Sequence, residues 1–215
     1  RRQRQMCIRD SHWAQERPER IILEDDYDSE FRFVGRPIPT LFSIDGGEQV
    51  VYLNTFSKTI APSIRISFMV LPRHLLADFQ EKLGFYACTV SAFEQYTLAS
   101  FLSGGYYEKH LSRMRKHYRQ KRDAVIGAVR QSPLADRATI TEEDAGLHFL
   151  LRLDGAPPDD VLRREAEARG VRLAMLSDYY QQPEDAPQHV LVVNYTGIDI
   201  EKLPAALERL AELWR

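Results

Sequence analysis

The stretch Glu24-Asp25-Asp26-Tyr27-Asp28-Ser29-Glu30-Phe31-Arg32 decides how the rest of the chain is read. It follows the short apolar run Ile21-Ile22-Leu23, which is preceded by Arg20. A short apolar run bounded by polar residues reads as a buried strand, here one whose carboxyl end opens into a polar loop. In open α/β sheets, ligands sit in the crevice outside the carboxyl ends of strands. A second run, Val50-Val51-Tyr52-Leu53, predicts a second buried strand and ends in Asn54-Thr55-Phe56-Ser57-Lys58. Arg65 follows after a loop containing Pro62. Carboxylates, a phenol, hydroxyls, one primary amine and one guanidinium are thus offered at strand ends.

Outward from this stretch, the chain alternates strand and helix signals. Arg1 to about Glu16 is polar and reads as a helix, stopped by Pro18. Gly35-Arg36-Pro37-Ile38-Pro39 and Asp45-Gly46-Gly47 read as turns. Ile66-Ser67-Phe68-Met69-Val70-Leu71 is a third strand, stopped by Pro72. His74 to about Ser103 is helical with a break near Gly84, and Gly104-Gly105 punctuates the chain. From Tyr107 to about Arg130, Leu111, Met114, Tyr118, Val125 and Val129 form one apolar stripe, which predicts one long helix. The cations between them, Arg113, Arg115, Lys116, Arg119, Lys121 and Arg122, are better explained by a solvated or interdomain face than by nucleic acid.

After Ser132-Pro133 the character changes. Strands are expected at Ala138–Thr141, Gly146–Leu153, Val171–Leu173 and Val190–Tyr195. Helices are expected from Pro158 to Ala168, closed by Gly170, and from Asp199 to Arg215. The expected fold class is α/β, with a partial large domain over residues 1–130 and a small α+β domain over 131–215.

Composition bounds the function classes. The chain has 215 residues, 44% of them apolar, so a sizeable core is possible. A net charge of −2 gives no global field toward nucleic acid or membrane. Cys7 and Cys88 are too few for a disulfide framework, which points to the reducing cytoplasm. No apolar run is long enough to span a bilayer. The chain does not open on Met, and the expectation is that it belongs to a longer protein. His110 and His117 lie about two turns apart on one helix face with no third ligand at metal spacing, so no metal site is expected. His148, in an apolar strand, reads as a core or supporting histidine.

Taken singly, the polar residues at the strand ends have plain structural roles. Asp-Asp-Tyr after a strand is ordinary turn chemistry, Ser-Lys is ordinary surface, and Arg65 could pair with a carboxylate. Their conjunction and order are what carry information. EDDYDSEFR, then TFSK, then RISFMVLP resembles the pyridoxal-phosphate enzymes of aminotransferase fold type I. The nearer resemblance is to the aminotransferase-like domain of MocR/GabR bacterial regulators, in which that domain follows a winged-helix DNA-binding domain. The likeness runs from about Arg1 to the C-terminus.

That resemblance implies the C-terminal part of a fold-type-I large domain, with a mixed, mostly parallel sheet, plus the small C-terminal domain. It implies pyridoxal 5′-phosphate as cofactor, joined to Lys58 as a Schiff base. Asp25 would keep the pyridine nitrogen protonated, and Tyr27 would hydrogen-bond the 3-oxygen. Arg65, with Ser57 and Thr55, would hold the phosphate. An amino acid or amine ligand, a homodimer, and DNA contact only through a winged helix outside this chain are implied as well. The family's glycine- or serine-rich phosphate loop and its stacking aromatic would precede Arg1. Arginine is missing from Val190–Tyr195 and from Thr196-Gly197-Ile198, where aminotransferases of this fold place a clamp for the substrate carboxylate. Two functions follow from the likeness: an effector-sensing domain of a transcription regulator, or a free-standing aminotransferase acting on an amino acid or amine.

Overall fold

The computed structural model describes residues 2–35, 39–46 and 48–214, with side chains from residue 9 to 213. Two of the expected turns therefore lie partly outside the described residues, at 36–38 and at 47. Contacts divide the chain into two units, Arg1–Glu30 with Gly35–Met114, and Phe31–Val34 with Arg115–Arg215.

The first unit opens with helix α1 (Arg2–Gln15). It then builds a three-stranded sheet, in the order β1 (Ile22–Asp25), β2 (Val50–Thr55), β3 (Ser67–Val70). β1 and β2 are parallel, with Leu23 opposite Val51 and Asp25 opposite Leu53. β2 and β3 are antiparallel, with Leu53 opposite Met69 and Thr55 opposite Ser67. The connection from β1 to β2 includes the short helix α2 (Leu41–Asp45). Thr40 caps it, its hydroxyl accepting from Ser43 N at 3.0 Å. Gly46 ends it at φ 75°, a left-handed conformation that glycine adopts without penalty.

The expected burial of β1 is corrected by the structure. Its residues alternate between half-buried and exposed, and Leu23 is 68% exposed. The reason is position: β1 is an edge strand, and the sheet face carrying Leu23 and Asp25 has little over it among the described residues. All four residues of β3, the other edge, are exposed too. Beyond β2 come the four-residue helix α3 (Phe56–Thr59), then α4 (Leu76–Leu83) and α5 (Ala92–Ser103). Ser91 caps α5, its Oγ accepting from Glu94 N at 3.2 Å. The long helix α6 (Tyr106–Gln131) contributes its start to this unit.

The second unit takes the rest of α6 and an antiparallel sheet ordered β4 (Ala138–Thr141), β5 (His148–Leu153), β6 (Val190–Asn194). Helices α7 (Asp159–Ala168) and α8 (Leu203–Ala211) complete it. Its core joins Phe149, Leu151 and Leu153 of β5 with Val125 and Val129 of α6, Leu162 of α7 and Leu207 and Leu210 of α8. Phe31, wholly buried, meets Tyr118 edge to face at 5.2 Å, so the end of the EDDYDSEFR stretch belongs to this unit. The cations of α6 are partly committed here: Arg119 donates to Phe33 O, Lys121 to Thr196 O and Arg122 to Glu143 O. The expected strand at Val171–Leu173 does not form. Val171 N turns back to Ala166 O at 2.9 Å, at the end of α7, and only beyond the segment does Val192 N donate to Ala174 O and Met175 bridge Leu191. Asp178 then accepts from Met175 N and closes a 3-10 turn over Leu176–Tyr179. The terminal helix starts at Leu203 rather than Asp199. Among the described residues, no helix is long and apolar enough to cross a membrane.

Candidate functional site

The registers of the first sheet determine the site. Because β1 runs parallel to β2, both carboxyl ends lie at one edge, and Asp26 N extends the ladder to Leu53 O at 2.9 Å. Because β3 runs antiparallel, its first residue, Ser67, lies opposite Thr55 at that same edge. Asp25, Thr55, Ser57, Lys58 and Arg65 are therefore brought together there, from three segments distant in sequence. Tyr27 follows in the bend beyond β1, 41% exposed.

The turn from β2 into α3 is held by hydroxyls. Thr55 Oγ1 accepts from Ser57 N at 3.2 Å and donates to Ile66 O at 3.1 Å. Phe56 N donates to Ile66 O at 2.9 Å, and Ser57 Oγ donates to Ile64 O at 2.6 Å. Arg65 Nη1 reaches Ser57 Oγ at 3.4 Å, so the guanidinium and the hydroxyl sit side by side. Thr59, 1% exposed, anchors α3 inward, while Lys58 beside it points its amine to solvent. The Lys58 side chain has no hydrogen bond, ion pair or ring contact among the described residues.

The carboxylates at this edge are sorted by their partners. Residues 24–30 contain five of them. Glu24 accepts from Leu41 N at 2.7 Å and Phe42 N at 2.9 Å, satisfying two donors at the start of α2. Asp26 accepts from the Tyr52 hydroxyl at 2.9 Å and the Ser29 hydroxyl at 2.8 Å. Glu30 accepts from Asn54 Nδ2 at 3.3 Å, and Asp28 is engaged as well. Asp25 alone of the five has no side-chain partner among the described residues, and it is exposed. Strand alternation accounts for this: Glu24 lies on the face that meets α2, and Asp25 on the opposite, open one.

Sequence reasoning missed the residues beneath that edge. Asn54, 6% exposed, donates to the Tyr52 hydroxyl at 2.8 Å, and its Oδ1 accepts from Thr55 N at 2.5 Å. Burial acts most strongly on the Tyr52 phenol and raises it; the Asn54 bond comes next and lowers it, and the neighbouring Asp26 and Glu30 carboxylates raise it again, to about 12. The one available signal was the alternation of polar Tyr52 and Asn54 within an otherwise apolar strand.

A mixed α/β sheet with this polar edge, in a chain that continues into an antiparallel α+β unit, defines an aminotransferase-like fold. Kynurenine aminotransferase of Pyrococcus horikoshii, solved in complex with PMP, matches it with a TM-score of 0.81 at 28% identity, over 96% of this chain and 50% of that one. Among curated sequences, the HTH-type transcriptional regulator YdeL of Bacillus subtilis is 37% identical over 203 residues, 94% of this chain and 43% of the relative. The probable rhizopine catabolism regulatory protein MocR of Rhizobium meliloti is 38% identical over 196 residues, 91% of this chain and 39% of the relative. No protein-family model matches. The chain is an aminotransferase-like domain related to the MocR-type regulators, and it spans less than half the length of those relatives.

Proposed function

We propose that this chain is the effector-sensing part of a MocR/GabR-type transcription regulator, and that it binds pyridoxal 5′-phosphate. The observation that carries the reading is the pair Asp25 and Lys58, an exposed carboxylate and an exposed amine without polar partners among the described residues, on a sheet edge where every neighbouring carboxylate is committed. The donor set fits the cofactor. Lys58 offers a primary amine for covalent attachment to an aldehyde. Asp25 offers a carboxylate to a protonated ring nitrogen, and Tyr27 a phenol to the ring oxygen. Arg65, with the Ser57 and Thr55 hydroxyls close by, offers charge-assisted donors to a phosphate. When bound, pyridoxal phosphate supplies an electron sink for carbanion chemistry next to an amine nitrogen. The chain's own part is to bind, to orient and, through a Lys58 amine freed by an incoming amino acid or amine, to hold a proton.

Sensing is favoured over efficient turnover by the second unit. The strand expected from the resemblance to carry a carboxylate clamp ends on Asn194, with no arginine from Val190 to Ile198. Asn194 Oδ1 is already occupied by Thr196 N at 3.0 Å and Thr196 Oγ1 at 2.7 Å. Losing two charge-assisted bonds, each worth about 1.5–3 kcal/mol, would weaken an α-carboxylate by a few powers of ten. DNA recognition would come from a winged helix outside this chain, in a cytoplasmic homodimer.

Single-turnover absorbance of the full-length protein with a panel of amino acids and amines tests the reading. The expected result is a change in the cofactor spectrum on ligand addition without sustained consumption of ligand. Sustained turnover with a keto-acid acceptor would establish an ordinary aminotransferase instead.

A further inference from the structure

Among the described residues, the Asp25 side chain has no hydrogen bond, ion pair or ring contact to fix where it stands. What fixes it must act through the backbone. We infer that Tyr52, Asn54 and Asp26 form a latch beneath the sheet edge that positions Asp25 and Tyr27, and that Tyr52 and Asn54 are positioning residues of the cofactor site. The inference rests on the function proposed above.

The latch is built on the sheet face opposite Asp25. Tyr52 and Asn54 sit two apart on β2 and share a face, and Glu24 and Asp26 alternate onto that same face. The Tyr52 hydroxyl donates to Asp26 Oδ2, Asn54 Nδ2 donates to the Tyr52 oxygen, and the same amide nitrogen reaches Glu30 Oε1. Asn54 Oδ1 accepts from Thr55 N, which ties the network to the residue that caps the Lys58 turn. One amide thus joins three segments: the loop after β1, the end of β2 and the start of α3.

Two features hold this network in one arrangement. Asn54 is 6% exposed, and a buried amide with both its nitrogen and its oxygen bonded has one orientation. Tyr52 is held on three sides, by the hydrogen bonds and by the rings of Phe42 and Phe68 at 6.1 and 6.3 Å. Clamping Asp26 on one face compels the preceding residue, Asp25, to the other. Clamping Glu30 as well closes the loop that carries Tyr27 at both ends. Asp26, although it adjoins Asp25, is thereby a tether and not a second ligand for the ring nitrogen.

The test compares wild type with Tyr52→Phe, which keeps the ring and removes only the hydroxyl, and with Asn54→Ala. Amide hydrogen exchange of the 26–30 segment in the cofactor-free full-length protein reads the latch itself. Visible circular dichroism per bound pyridoxal phosphate in the loaded protein reads the position of the ring partners. The expected result is at least a tenfold rise in exchange for both variants and at least a twofold fall in the dichroism of Tyr52→Phe, with the thermal melt of Tyr52→Phe close to wild type. Unchanged exchange overturns the latch. Faster exchange with unchanged dichroism overturns positioning and leaves a structural role only. A wild type that carries no visible band defeats the proposed function and the positioning role with it. The exchange experiment still shows in that case whether the latch exists.

Discussion

The two units bury their sheets in opposite ways. In the second, β5 alternates Phe149, Leu151 and Leu153 onto one face, and each is buried to 3% exposure or less. In the first, β3 is exposed throughout and α5 has no buried residue. Phe85, Phe93 and Tyr96 there are 75–79% exposed. The second unit is organised by apolar contact, as a self-contained α+β layer pair is. The first is organised by register and by hydrogen bonds at one polar edge. Asp25, Lys58 and Arg65 lie on the unit with the more exposed sheet.

This contrast can be broken most easily in the second core. Phe149→Ala should cost about 3–5 kcal/mol in urea unfolding of the 215-residue chain, through lost burial and a cavity. Phe93→Ala in the first unit should stay within about 0.5 kcal/mol, as for an ordinary surface change. A cost above about 2 kcal/mol for Phe93→Ala would show that its face is covered after all.

A second test sharpens the contrast at the open edge. Titrated with pyridoxal phosphate, the 215-residue chain should bind at least about a hundredfold more weakly than the full-length protein, near 2.7 kcal/mol. Equal affinity would mean that these residues suffice for the site. Next in size, Asp25→Asn should slow any half-reaction with an amine more than about tenfold, or 1.4 kcal/mol. A change of less than about threefold would remove Asp25 from its assigned role.

The smallest effect concerns Tyr52. Its phenol ionises near 12 in the folded chain and near 10 when unfolded, so folding favours the protonated form. That contribution is complete below pH 10 and is lost as pH rises from 10 toward 12. Urea midpoints measured across that window should fall less steeply in Tyr52→Phe than in wild type. Equal slopes would contradict the raised phenol.

The same contrast explains what the sequence could and could not reveal. Strand positions in the first unit were legible because apolar runs end on polar clusters, and the placement of Lys58 and Arg65 near one strand end because they follow those runs directly. The latch was not legible. It depends on Asp25 standing opposite Leu53 and on Asp26 continuing the ladder, and a register shift of one residue would turn Tyr52 and Asn54 to the other face. Burial of Ile22 and Leu23 was misread because an apolar run does not say whether its second face is covered. Division of the EDDYDSEFR stretch between two units, with Phe31 wholly buried in the second, was hidden because nothing local marks Tyr118 as its partner. The strand expected at Val171–Leu173 does not form because its one β-branched residue, Val171, gives its N–H to Ala166 O at the end of α7, and Asp178 takes the N–H of Met175.

The central claim is that the open edge of the first unit takes pyridoxal phosphate through Lys58. Borohydride reduction of the loaded full-length protein, followed by peptide mapping, tests it most directly. The account predicts a single stable adduct on the peptide containing Thr55-Phe56-Ser57-Lys58, absent from Lys58→Ala. An adduct on a different lysine, or an unchanged yield in Lys58→Ala, would contradict it.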